Sequence, residues 1–208
     1  MIRLLPASLL LLLALSAQAA PPVFATPDQA DMIRASRSLQ DGFEKDAFDK
    51  FKRAARLGNK EAQKNLGLMY IKGMGVEKSW PRAHAWLRMA ASRGDAQYRA
   101  AKDEVWGALR DDEKEMAEAY YQELREEYGD AAALERRERW VRRQKREVTG
   151  SRLGTIGALR VQVADATGYQ WELAGNEFFE VLDTYVAELE PFVGEVEVGE
   201  LEVIEDEN

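Results

Sequence analysis

The sequence predicts a mainly α fold: a short solenoid of stacked helix pairs with capping helices and a small α+β segment at its C-terminal end. Three observations predict it. Ala54-Ala55-Arg56-Leu57-Gly58 returns as Ala90-Ala91-Ser92-Arg93-Gly94 thirty-six residues later, and Ala62-Gln63 is echoed by Ala96-Gln97 at thirty-four. That is the period of stacked helix pairs, in which no unit buries its apolar face alone. Between the echoes, apolar and small residues recur at helical spacing and stop at glycines. After Arg160 the texture changes to short alternating runs with no Lys or Arg.

The chain begins with a segment of different character. Arg3 supplies a positive start, Leu4 to Leu15 an apolar run, and Ala17-Gln18-Ala19 a small-residue cleavage pattern. Residues 1–19 are therefore expected to be a secretory signal peptide, which places the mature protein in the periplasm or outside the cell. The apolar run is shorter than the roughly 20 residues that span a bilayer.

Residues 20–42 read as a leader and an N-terminal helix, with Asp28 as its cap and Met32, Ile33 and Leu39 as its apolar residues; Gly42 ends it. Phe43, Ala47, Phe48, Phe51, Ala54 and Ala55 then form the buried stripe of the next helix. Residues 43–109 hold the repeats. Ala62, Leu66, Gly67 and Tyr70 share one face of a helix from about Lys60 to Lys72, and Gly67 allows a neighbouring helix to approach closely. Gly73 and Gly75 turn the chain. Ser79 is placed to cap a second helix whose first turn tolerates Pro81, and Ala83, Trp86, Leu87, Ala90 and Ala91 are its buried face.

On these residues the chain resembles the Sel-one-like repeat family, relatives of the tetratricopeptide repeat. The pattern Ala-Gln-x-x-Leu-Gly-x-Met-Tyr, then Gly-x-Gly-Val, then Arg-Ala-x-Ala-Trp-x-x-x-Ala-Ala-x-x-Gly runs from Ala62 to Gly94. The resemblance covers one whole unit, the second helix of the unit before it and the first helix of the next, Asp95 to about Leu109. It implies an α/α solenoid used for protein–protein contact without chemistry of its own. It further implies that the first helix of each unit lines a concave side. Lys64, Leu68, Ile71 and Lys72, with Tyr98, Lys102 and Trp106 of the following helix, would then face a groove suited to an acidic or aromatic peptide segment.

Residues 110–148 read as a capping helix and a basic helix. Asp111, Asp112 and Glu113 favour a helix start against the positive end of the dipole, and Ala117, Tyr121, Leu124 and Tyr128 follow at helical spacing. Gly129 interrupts. Residues 135–146 carry a run of arginines with only Leu134, Trp140, Val141 and Val148 as apolar residues. An acidic partner, an anionic membrane surface and docking on the rest of the chain are all open to such a helix, and an outward Trp140 would favour the membrane. Nucleic acid is not expected as a partner of an exported protein.

Residues 149–208 read as a linker around Gly150 and then a small acidic α+β region: strands through Leu159–Val163 and Tyr169–Leu173, a helix capped by Asn176 with Phe178, Leu182, Tyr185 and Leu189 on one face, and one or two strands near Val196–Val203. The last 48 residues hold fourteen Asp and Glu, which invites contact with the basic helix.

Composition narrows the chemistry. The 208 residues carry a net charge of −8, 46% are hydrophobic and 32% charged, as in a folded globular protein. Without cysteine there is no disulfide, thiolate nucleophile or cysteine-ligated zinc. His84, the single histidine, has no sequence-local nucleophile or orienting partner and reads as structural or surface. No catalytic residue, cofactor or metal site is expected. The leading expectation is a non-enzymatic adaptor of the bacterial cell envelope that binds another envelope protein. The alternatives are an envelope-polymer hydrolase using Asp and Glu at the junction of repeats and C-terminal region, and a membrane-surface protein docking through residues 135–146.

Overall fold

The computed structural model describes residues 25–149, 160–164 and 169–192. The expected signal peptide, the expected linker around Gly150 and the strands expected near Val196–Val203 lie outside the described residues. Eight described helices follow in order: α1 (Pro27–Gln40), α2 (Glu44–Ala55), α3 (Lys60–Lys72), α4 (Trp80–Ala91), α5 (Ala96–Ala108), α6 (Asp111–Tyr128), α7 (Asp130–Thr149) and, after the strands β1 (Arg160–Ala164) and β2 (Gln170–Ala174), α8 (Gly175–Ala187). A 3-10 turn, Glu190–Phe192, ends the described chain. No described helix is long and apolar enough to cross a membrane.

The mainly α repeat architecture is present. Helices α1 and α2 pack as one pair and α3 and α4 as the next, with α2 against α3 and α5 laid on α4. Helix α6 then returns onto α4 rather than extending the row beyond α5. Trp86 meets Tyr128 edge-on with ring centroids 4.7 Å apart, and the Arg88 guanidinium lies 3.8 Å from the centre of the Tyr121 ring.

Local signals fix the helix ends. Asn59 and Ser79 accept from the backbone N–H groups of Ala62 and Arg82, and the Asp95 carboxylate accepts from both Gln97 and Tyr98. Two expected caps differ. The cap position of α1 is Thr26, two residues earlier than expected, because Pro27 already sits in the first turn; the buried Asp28 carboxylate instead accepts from Thr26 Oγ1 at 2.7 Å and Asn59 Nδ2 at 2.9 Å. Helix α8 starts directly from β2 with Ala174 at its cap, and Glu177, not Asn176, reaches back to the Ala174 N–H. At the α3–α4 turn Gly75 has φ +66°, and a Cβ there would lie 2.5 Å from the Glu44 carbonyl carbon. Only glycine allows the turn to rest on the start of α2, where Glu44 accepts from the Gly75 N–H at 2.9 Å.

Two cores result. The larger joins Ala47, Phe48, Phe51, Leu66, Met69, Tyr70, Ala83, Trp86 and Tyr128 across α2, α3, α4 and α6. Phe43 does not belong to it: it is 65% exposed, because it occupies the N-cap position of α2 ahead of the helical stripe. Ile33 on α1 is also exposed. The smaller core gathers Val141 from α7, Val163 from β1 and Phe178, Leu182 and Tyr185 from α8. Strands β1 and β2 pair antiparallel with Val161 opposite Leu173.

Buried polar groups tie the two parts together. Arg137 of α7 is 3% exposed and donates to the Leu57 carbonyl at 2.8 Å, the Tyr185 carbonyl at 2.7 Å and the Glu188 carboxylate at 3.1 Å. Asp130, the first residue of α7, pairs with Lys60 at 3.2 Å and Arg93 at 2.6 Å, while Lys60 also donates to the Met89 carbonyl and Ser92 Oγ. Burial pushes the Lys60 ammonium down to about 8. Burial also works to raise the Asp130 carboxyl, but the Arg93 hydrogen bond and the Lys60 charge outweigh it and hold Asp130 below its ordinary value.

Candidate functional site

Helices α1 and α3 each have their second helix behind them and α5 is laid on α4, and the uncovered sides of these three helices carry the candidate surface. Small residues make this possible: Gly67 lets α4 sit directly behind α3, which turns Lys64, Leu68 and Lys72 outward. Leu68 is 37% exposed, an aliphatic side chain left at the surface of an otherwise well-packed helix.

Lys64 is half-buried, pairs with Glu61 at 3.7 Å and holds its ammonium 5.8 Å from the centre of the Tyr98 ring. That contact joins α3 to α5. Burial, then the nearby Glu61 and Asp95 carboxylates, raise the Tyr98 phenol above its ordinary value, so Tyr98 presents a neutral hydroxyl at physiological pH. Lys72 is exposed in the last turn of α3, and Ile71 packs against the larger core.

The other end of α5 turns a different way. Trp106 is 37% exposed, but one side of its ring lies against His84, with centroids 4.7 Å apart, and Lys114 of α6 sits 5.8 Å from its centre. Lys102 is half-buried and pairs with Asp103 at 2.9 Å. The seven residues thus fall into two groups: Lys64, Leu68, Lys72 and Tyr98 about the α3–α5 contact, and Lys102 and Trp106 beside His84, with Ile71 turned inward.

His84 itself is buried, with Nδ1 lacking a hydrogen-bond partner among the described residues. Burial, reinforced by the Arg88 and Lys102 charges, lowers its pKa to about 4. It is a neutral structural ring that supports Trp106. Among the described residues no cluster of His, Asp and Glu has metal-site geometry.

One part of the surface was not foreseen. Met32, Ile33, Ser36, Arg37 and Gln40 of α1 and Glu61 of α3 line a shallow cavity of about 400 Å³. Glu61 belongs both to this cavity and to the Lys64–Tyr98 cluster, so the uncovered surface runs from α1 across α3 to α5. Trp140 is half-buried against the smaller core, edge-on to Tyr185 at 5.7 Å between centroids, so the basic helix does not present it fully outward.

No family model matches the sequence, and no curated protein matches it. Among solved structures the chain is similar to the crystal structure of a protective antigen present in uropathogenic Escherichia coli strains that displays an SLR fold, with 26% sequence identity and a TM-score of 0.47 over 57% of this chain and 25% of that one. The chain spans about a quarter of the length of that protein.

Proposed function

We propose that the protein is a non-enzymatic adaptor of the bacterial cell envelope, exported by its N-terminal signal peptide, that receives a segment of another envelope protein on the uncovered sides of α1, α3 and α5. The observation that carries the reading is the Lys64–Tyr98 contact beside exposed Leu68, which makes one surface from two successive pairs. An aliphatic anchor, an aromatic ring with a neutral hydroxyl and lysines at its edge suit a peptide carrying carboxylates and an apolar or aromatic residue. Binding energy concentrates in a few such anchors. At the junction of the repeats and the C-terminal region, Asp130 is paired with Lys60 and Arg93, and Glu188 with Arg137.

A photo-crosslinking residue in place of Leu68, in intact cells, tests the proposal. One dominant adduct is expected, lost when Lys64→Glu and Lys102→Glu are combined and absent when the crosslinker is placed instead at exposed Met116 on α6. Equal capture by the charge-reversed chain would overturn this surface as the binding face. Cytoplasmic retention of the full chain would overturn its envelope location.

A further inference from the structure

The cavity between α1 and α3 carries two opposite charges that do not neutralise each other. Its α1 wall is graded: Met32 and Ile33 make one end apolar, and Arg37 and Gln40 make the other end polar, all within about 12 Å of helix. Glu61 closes the cavity from α3, whose start is held beside the start of α1 by the hydrogen bond from Asn59 to Asp28. Arg37 is exposed and meets no carboxylate among the described residues, whereas Arg34 and Arg53 share Asp31. Glu61 is also exposed. Lys64 stands 3.7 Å from it, beyond hydrogen-bond reach, so the Glu61 oxygens keep room for further donors.

This arrangement selects by charge. A ligand with a carboxylate alone is drawn to Arg37 and repelled by Glu61, and one with an ammonium alone meets the reverse. A ligand carrying both charges is attracted at both walls. An apolar side chain on the same ligand would cover Met32 and the exposed Ile33, removing their surface from water. At about 400 Å³ the cavity stands near the low end of small-molecule sites, which run to about 1,000 Å³, so the ligand is small. It also leaves room for a segment bound farther along the face, because Leu68 lies about 10 Å beyond Glu61 on α3.

We infer that the α1–α3 cavity binds a free α-amino acid with an aliphatic or aromatic side chain. Its carboxylate meets the Arg37 guanidinium, its ammonium meets the Glu61 carboxylate, and its side chain lies over Met32 and Ile33. The inference goes beyond the adaptor reading, since it needs no partner protein. Both ionic contacts are at the surface, where such pairs are weak, so the dissociation constant is about 1 mM.

Three ligands test it by NMR on the full chain, labelled at its methionine and isoleucine methyls: L-leucine, N-acetyl-L-leucine, which keeps only the anion, and L-leucinamide, which keeps only the cation. Leucine should shift the Met32 and Ile33 methyls saturably. Each analogue should bind about fivefold more weakly, since it loses one attraction and keeps one repulsion. Arg37→Gln should erase the preference for leucine over leucinamide, and Glu61→Gln the preference over N-acetyl-leucine, a pattern that simple loss of the fold does not produce. If either variant fails to fold, the three ligands on the unsubstituted chain decide alone. Equal binding of N-acetyl-leucine would overturn the inference and give the cavity to the carboxyl end of a polypeptide. Equal binding of leucinamide would overturn it in favour of an amino end, and shifts that grow linearly throughout the millimolar range would mean there is no site. The crosslink at Leu68 is read separately, so a failure here and a failure of the adaptor reading are distinguishable.

Discussion

Gly67 and Leu87 are in such close contact that a Cβ on Gly67 would lie 2.8 Å from Leu87 Cγ and 3.2 Å from the Ala83 carbonyl oxygen. One side of that contact is backbone, which cannot swing aside. Gly67→Ala gains about 1 kcal/mol of helix propensity but must push α3 and α4 apart, and overpacking costs about 1–3 kcal/mol. A net loss of about 1 kcal/mol is expected for Ala and a larger one for Val, read from urea denaturation midpoints. A more stable Gly67→Ala would show that the helix pair yields without cost.

Asp130 neutralises two cations, Lys60 and Arg93, at a site where Lys60 is almost wholly buried. Removing one partner of a buried pair leaves an uncompensated charge, at a cost of about 3–5 kcal/mol. Asp130→Asn should therefore destabilise the chain by this order and drive the Lys60 ammonium to titrate below its present value of about 8. Isotope-edited NMR of the lysine side chains checks the second outcome independently of the first.

Arg137 holds the first half of α7 to the end of α8 and to the α2–α3 connection at once. Arg137→Lys keeps the charge but cannot fork among three acceptors. A loss of about 3 kcal/mol is expected, concentrated at the smaller core: hydrogen exchange should accelerate in α8 and leave α3 and α4 protected. Uniform acceleration would show that the two cores unfold as one.

His84 gives the protein a defined acid sensitivity. Its folded pKa of about 4 lies below the ordinary 6.5, so the unfolded chain takes up a proton first as pH falls. The stability that the neutral ring provides is complete above about pH 6.5 and is lost progressively down to about pH 4, by up to about 3 kcal/mol. The surrounding charges are Arg88 on its own helix, Lys102 and Asp103 on α5 and Glu118 on α6. Comparing the chain with His84→Phe isolates the effect: the variant should lose less stability between pH 7 and pH 4.5, measured by denaturant titration at each pH. Parallel losses would assign the acid sensitivity to carboxylates instead.

The repeat was legible because its signal is steric and periodic: Ala62, Gly67, Ala83 and Ala90 are small where helices touch, and all are buried in the fold. Phe43 misled because composition cannot tell the last residue before a helix from the first residue of its stripe. Arg137 was hidden among neighbouring arginines, although its register, four residues before Val141 and eleven before Val148, placed it in the apolar seam of α7. The α1 part of the candidate surface needed the fold itself, since it depends on Glu61 arriving beside Ile33 and Arg37 from another helix.

The return of α6 onto α4 has a consequence for growth of the array. In an open row of helix pairs, a duplicated unit can be appended at the end without disturbing those already there. Here the terminating helix is clamped to the middle of the row through Trp86, Arg88, Tyr121 and Tyr128, so an added unit would have to evict it. The protein behaves as a ruler cut to length, and the number of its helix pairs is set by its terminator rather than by its module.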